Sequence, residues 1–313
     1  MHYYFAPMEG LTDSIYRRLH HEYFPGVDRY YMPFLSPTVH RTLTRREERE
    51  LPMADSVGFL AIPQILTKVP EDFLWAAQQC LDRGYREVNL NVGCPSGTVV
   101  SKGKGAGMLR DPEQLDRFLD EIFARTPLPI SIKTRLGMES AEEFPRLLEI
   151  YNRYPIRELT VHPRVRKAFY SGGVDMDAFR FCMENSKNPV CYNGNLCSLS
   201  QIDAIRKEFP TLDAVMIGRA LVGDPGMLSG GTAIDTLEAF HNALLETYTV
   251  EFGGARNAMF RLKENWHLLR CHFEGSEKLW KRLRKTTDVQ EFRAITAEIF
   301  HALPLTRELH PDW

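Results

Sequence analysis

Short apolar runs alternate with helical patterns through the first three quarters of the chain. YYFAPM (3–8), RYYMPF (29–34), FLAIPQI (59–65), EVNLNVG (87–93), PISIKTRL (129–136), ELTVHPR (158–164), PVCYNGN (189–195) and AVMIGRAL (214–221) have the length and composition of strands. Between them lie segments such as PEDFLWAAQQCLDRG and SLSQIDAIRKEF. The second has a Ser cap, helical spacing of Ile202, Ile205 and Phe209, and a closing Pro210. This alternation predicts βαβ units and a parallel sheet. Eight such strands in about 220 residues suit an α/β fold of the TIM (β/α)8 barrel type, with a doubly wound open sheet as the alternative. From about Thr236 only helical patterns remain: TLEAFHNALLETYT, NAMFRLKENWHLLRCHF, SEKLWKRLRK and DVQEFRAITAEIFHAL. The division predicted is a barrel over 1–235 and a C-terminal all-helical domain over 236–313.

Composition narrows the class without naming a chemistry. The 313 residues are 43% hydrophobic and 26% charged, ordinary globular values. The net charge of −2 means that a polyanion must be held by a local patch. One such patch is visible. From 256 to 285 there are nine Lys or Arg against three Glu, with Met259, Leu262, Trp266, Leu269 and Phe273 forming the apolar face of the same region. A solvated helix face is the plain alternative for such a cluster. The six Cys form no Cys-x-x-Cys pair, which argues against a zinc ribbon or a redox dithiol, so no metal is expected. MHYYFAPMEG lacks the basic start of a signal peptide, and no apolar run approaches the roughly 18 residues of a membrane span. A soluble, cytoplasmic protein without a membrane partner is expected, with a monomer as the default.

In a barrel, chemistry gathers where strands end. Polar residues recur there, some beside Pro, Met or Gly: Pro7, Met8 and Glu9; Gln64; Asn91 and Cys94; Lys133 and Arg135; His162 and Arg164; Asn193 and Gly194; Gly218 and Arg219. The last two strands lead into YNGN and IGRA, where Gly and Arg suit a phosphate, although two ordinary tight turns would read the same. No GxGxxG fingerprint is present, and SKGKGAG breaks Walker A spacing. A mononucleotide phosphate in a barrel therefore fits better than a Rossmann dinucleotide. Lys133 inside a strand needs an anionic partner or an exit to solvent. Reduced flavin would supply the anion, and His162 could bond the same ring. Cys94 sits before Pro95 and a stretch holding five Gly and two Lys between 93 and 107. Packing residue, nucleophile and proton donor all remain open for it; a metal site lacks further ligands at suitable spacing. A thiol acid needs only the ordinary pKa of about 8.5. The Gly-rich stretch reads as a loop that can move, and its Lys102 and Lys104 can meet a polyanion.

Taken together, APMEGLTDS (6–14), the Gln of PQI, NVGCPS, KGKGAGML, KTRLG, HPR, YNGN, IGRA and the basic tail resemble the tRNA-dihydrouridine synthase family along nearly the whole chain. The resemblance implies an FMN-bearing TIM barrel with a helical domain that grips tRNA. It implies that Pro7, Met8, Glu9, Gln64, Lys133 and His162 border the flavin, and that Asn193, Gly194, Asn195, Gly218 and Arg219 hold its phosphate. It implies that NADPH reduces FMN, that flavin N5 passes hydride to C6 of a uridine, and that Cys94 protonates C5. Asn91, Arg135 and Arg164 are the candidates for the uracil edge. Arg256, Lys263, Arg270, Lys278, Lys281, Arg282, Arg284 and Lys285, with Lys102 and Lys104, are the candidates for the tRNA backbone. Pro163, Met138 and Asn195 depart from the residues usual in the family and bear on subtype, not on the reagents. An FMN barrel acting on a small molecule, resembling dihydroorotate dehydrogenase, is the nearest rival, and a dihydrouridine synthase acting on rRNA is another.

Overall fold

The structure is a computed structural model that describes residues 1–126, 128–309 and 311; residues 310, 312 and 313 of the expected helical segment lie outside the described residues. Nine strands form one sheet: β1 His2–Phe5, β2 Arg29–Tyr31, β3 Ala61–Ile62, β4 Gln64–Ile65, β5 Val88–Val92, β6 Ile130–Arg135, β7 Leu159–His162, β8 Val190–Tyr192 and β9 Ala214–Ile217. Their order is β3-β2-β1-β9-β8-β7-β6-β5-β4. The two ends of this order, β3 and β4, are consecutive in the chain and separated only by Pro63. Proline has no N–H for the ladder, so residues 61–65 are split into two short strands. Ala61 pairs with Tyr30 of β2 and Gln64 pairs with Asn89 of β5, all parallel. The eight expected strand positions thus close into a barrel, with one position counted twice.

The helices between strands start where the sequence supplies caps. Helix Pro112–Arg125 has Asp111 as its cap, with the carboxylate accepting from Gln114 N at 2.9 Å, and Pro at its first position. Helix Leu199–Glu208 follows Ser198, whose hydroxyl accepts from Gln201 N at 3.3 Å. Several expected strands are too long. The run 214–221 is strand only to Ile217; Gly218 breaks it and Arg219–Gly223 is a short helix. The run 29–34 likewise ends as strand at Tyr31.

The chain divides into two compact units. The first comprises Met1–Pro7, Asp28–Asn195 and Arg206–Met216, and the second Met8–Val27, Leu196–Ile205 and the residues from Ile217 onward. The second unit contains helices Ile234–Glu251, Ala255–Leu269, Glu277–Lys285 and Val289–Ala302, matching the four helical patterns of the tail. It also takes in helix Ser14–Tyr23, whose Tyr16, together with Phe24, packs edge-on against Phe240 at 5.4 and 5.2 Å. Met259, Leu262, Trp266, Leu269 and Phe273 are all buried, as their spacing predicts. Among the described residues no helix is long and apolar enough to cross a membrane.

Candidate active site at the barrel mouth

Strand register places a row of polar side chains on one face of the sheet. Gln64 pairs with Asn89, Asn89 with Ser131, Asn91 with Lys133, and Lys133 with Thr160. Buried amides must find partners, and here they find one another. Asn89 donates to Ser131 Oγ at 3.0 Å, Gln64 donates to Asn89 Oδ1 at 2.8 Å, and Asn91 donates to Gln64 Oε1 at 2.8 Å. The chain of bonds ends on the backbone: Asn91 Oδ1 accepts from Gly93 N at 3.1 Å and from Cys94 N at 2.9 Å. Asn91 is therefore the seat of the Cys94 turn. Its amide is committed to that turn and to Gln64.

The glycine-rich stretch after Cys94 is folded, which corrects the expectation of a loop. Gly97–Val100 is a helical turn and Gly105–Arg110 a 3-10 helix, with Gly105 to Leu109 buried. Cys94 O accepts from Ala106 N at 3.1 Å. At Gly105, with φ +56, a Cβ would stand 2.9 Å from Val99 Cγ1 and 3.0 Å from Cys94 Cβ. Gly105 and Gly107 serve close packing beside a half-buried thiol, whereas Gly97 has open space where a Cβ would stand. Lys102 is exposed, while Lys104 is half-buried and donates to Ser36 Oγ at 3.3 Å.

Lys133 Nζ donates to Asn193 Oδ1 at 2.6 Å, and Asn193 Nδ2 donates to Met216 O at 2.7 Å. The side chain keeps some accessible surface at the rim, yet protein crowds it enough that burial, reinforced by the positive Arg135, pulls its pKa down to about 7. Its amine is held by a neutral amide rather than a carboxylate. Asn193, expected near a phosphate, links Lys133 to the backbone of β9. Both Lys133 and Arg135 lie within electrostatic reach of Cys94.

Two buried arginines build the loop that follows β7. Arg135 donates to Gly93 O at 2.9 Å, Val165 O at 3.2 Å and Phe169 O at 2.7 Å. Arg164 donates to Ser171 O and, at 2.6 Å, to Gly172 O. These guanidinium groups, expected at the uracil edge, brace loops on either side of the mouth. They bring up two aromatics that the sequence pattern did not single out. Tyr170 is half-exposed, with Arg135 lying 5.3 Å from its ring centroid and the His162 ring 6.1 Å away. Phe169 is exposed, at φ +48, with Arg166 against its ring at 4.9 Å. Adjacent aromatics in VRKAFYSGG were the available signal.

The remaining cofactor candidates fall in both compact units. In the first, Pro7 is half-buried, Gly194 is buried, and Asn195 is exposed at φ +43. In the second, Gly218 precedes the Arg219–Gly223 helix, Met8 and Arg219 are half-buried, and Glu9 is exposed. Among the described residues no group of three His, Cys, Asp or Glu side chains gathers as a metal site.

The basic tail candidates are not equivalent. Lys263 Nζ donates to Arg284 O at 3.4 Å and to Thr286 O, so its amine ties one helix to the end of another. Arg282 pairs with Glu298 at 3.3 Å. Lys278, Lys281, Arg284 and Lys285 are exposed. Aromatics interleave with the cations: Arg256 and Lys263 flank exposed Phe260 at 5.8 and 5.3 Å, and Arg270 lies 5.6 Å from the Trp280 ring.

Residues 4–310 match the family model described as dihydrouridine synthase. The chain is 28% identical over 221 residues to tRNA-dihydrouridine synthase B of Proteus vulgaris, covering 70% of this chain and 67% of that protein. It is 28% identical over 289 residues to tRNA-dihydrouridine synthase B of Vibrio parahaemolyticus, covering 87% of each. A probable tRNA-dihydrouridine synthase of Rickettsia bellii is 28% identical over 226 residues, covering 72% and 68%. Among solved structures, morphinone reductase superposes with a TM-score of 0.51 at 13% identity, covering 74% of this chain and 86% of that one. That likeness concerns the barrel fold alone.

Proposed function

The chain belongs to the dihydrouridine synthase family, and we propose that it reduces the C5–C6 bond of a uridine in tRNA to 5,6-dihydrouridine, using bound FMN and NADPH. The observation that carries this reading is the mouth itself. A cation with only a neutral amide partner, Lys133, faces a region shared with a half-buried thiol, Cys94, on loops braced by buried arginines. That donor set fits a flavin that gains negative charge on reduction. When bound, FMN reduced by NADPH supplies a hydride from N5 to C6 of the uracil.

The protein's own residues do the rest. Lys133 stays protonated beside the ring's developing charge, held at Asn193. Gln64 lines the floor through the amide chain that ends at Cys94. His162 borders the ring. Cys94 donates its proton to C5 on the face opposite the hydride, and the thiolate is reprotonated from solvent. The uridine must leave its stack to reach this pocket, and Tyr170 offers a face for it to stack on. Asn91, Arg135 and Arg164 act on the base through the loops they hold. Gly194, Asn195, Gly218 and Arg219 hold the phosphate of FMN. The exposed cations of helix Glu277–Lys285, with Arg256, Arg270, Lys102 and Lys104, meet the tRNA backbone.

An anaerobic half-reaction tests the reading. The bound flavin is reduced with one equivalent of NADPH, and tRNA lacking dihydrouridine is added. Reoxidation of the flavin by that tRNA, and not by fully modified tRNA, is expected. A flavin that stays reduced with tRNA but is reoxidised by rRNA or by a small unsaturated molecule would move the activity to that substrate.

A further inference from the structure

The segment Met8–Asp13 lies just past the end of β1 and carries Met8 and Glu9, two residues assigned to the flavin edge. It is a tight turn. Leu11 N and Thr12 N both donate to Met8 O, at 3.0 and 3.1 Å, and Met8 N donates to Thr12 Oγ1 at 3.0 Å. The turn ends on a buried, charged residue. Asp13, 6% exposed, caps helix Ser14–Tyr23 by accepting from Tyr16 N at 2.9 Å. The same oxygen accepts from Tyr248 OH at 2.9 Å. The other oxygen accepts from Arg261 twice, from Nε at 3.2 Å and Nη2 at 2.7 Å. Arg261 belongs to helix Ala255–Leu269, and Tyr248 to helix Ile234–Glu251.

A cap needs one oxygen and no guanidinium. Burying an aspartate with a bidentate arginine and a tyrosine is costly unless geometry is exact, and breaking it by removing one partner is costlier still. Two further contacts bring helix Ala255–Leu269 against the turn. Asn265 Nδ2 reaches Leu11 O at 3.4 Å, and Gly10, at φ +79, passes with its Cβ position 3.7 Å from Arg261 Nη1. The same helix carries Arg256 and leads into Arg270, two of the cations assigned to RNA, with aromatic rings beside them.

We infer that Arg261 is a positioning residue of the reaction: its fork on Asp13 fixes the Met8–Asp13 turn, and with it the flavin-edge residues Met8 and Glu9, to the helix that carries Arg256 and leads into Arg270. The inference rests on the function proposed above. It gives the helical region a second task. Besides holding RNA, the helix sets where the flavin edge lies when the uridine arrives.

The test uses the full-length, flavin-loaded protein with Arg261→Lys, which keeps the charge but loses the fork, and with the neutral pair Asp13→Asn/Arg261→Gln. Flavin content, melting temperature, tRNA Kd, KM and kcat are measured, together with the visible bands of the bound flavin and its rate of reduction by NADPH. For Arg261→Lys, flavin content and tRNA Kd stay within about twofold of wild type, KM is unchanged, the flavin bands shift, and kcat falls by about tenfold to a hundredfold. Wild-type kcat and bands in a folded Arg261→Lys protein would overturn the inference. So would a joint loss of flavin, RNA binding and melting temperature in both variants, which marks a purely structural pair. If the wild-type protein reduces no uridine in any RNA, the proposed function fails instead. The band shift and the NADPH rate of Arg261→Lys then decide the positioning claim by themselves.

Discussion

Replacing Lys133 with Met removes an ammonium while keeping an unbranched side chain, and the structure sets how stability without flavin responds. Burial lowers the folded-state pKa of Lys133 to about 7, against about 10.4 in an unfolded chain. Between those values the unfolded chain holds a proton that the folded one has lost. Stability therefore rises with pH across this window, at most by about 1.4 kcal/mol per pH unit. Below pH 7 both states are protonated, and the folded protein carries the full cost of a crowded cation. From pH 7 to 9 the gain integrates to about 2 kcal/mol, less whatever the partly open rim screens. Lys133→Met abolishes this contribution. The assay is urea unfolding of flavin-free wild type and variant at several pH values. The difference between the two curves is expected to favour the variant most at pH 6 and to shrink by about 2 kcal/mol between pH 7 and 9. When the bound flavin is reduced the cation gains an anionic partner, so the variant's flavin reduction potential falls. A difference that is flat with pH would refute the reasoning, since it would mean that Lys133 is not held against its charge.

Three other contacts give outcomes of their own. Cys94→Ala keeps its flavin and its rate of reduction by NADPH, while uridine reduction falls by about 10²–10⁴-fold; full activity would remove the acid role. Gly105→Ala forces a Cβ to 2.9 Å from Val99 and 3.0 Å from Cys94 at φ +56, costing on the order of 1–3 kcal/mol in thermal or urea unfolding; an unchanged midpoint would show that the turn yields freely. Lys278, Lys281 and Lys285 changed together to Glu lower tRNA affinity and flatten its dependence on salt, with the flavin half-reaction intact; an unchanged salt slope would place the RNA on another face.

The barrel was legible because strand-length apolar runs and capped helices alternate, and because Pro63 could split a strand without moving it. The four tail helices were legible from their three-and-four spacing. Partnering was not. Asn91, Arg135 and Arg164 stood at strand ends as polar residues facing a mouth, but a sequence does not show that their donors reach Gln64 or loop carbonyls. At Gly105 φ freedom and close approach leave the same letter, and only the folded chain shows that both operate there, against Val99 and the Cys94 carbonyl. Tyr170 lies beyond the end of its strand and needed Arg135 and Arg164 to fold its loop back. Asp13 and Arg261, 248 residues apart, share a pair that no local pattern announces.

The measurement that bears most directly on the central claim is mass mapping of RNA after turnover. Flavin-loaded enzyme, NADPH and tRNA lacking dihydrouridine are incubated, and nuclease fragments are weighed. A gain of two hydrogens at a defined uridine, absent with Cys94→Ala, is the predicted result. Unchanged fragments from an enzyme whose flavin is reduced by NADPH would contradict it.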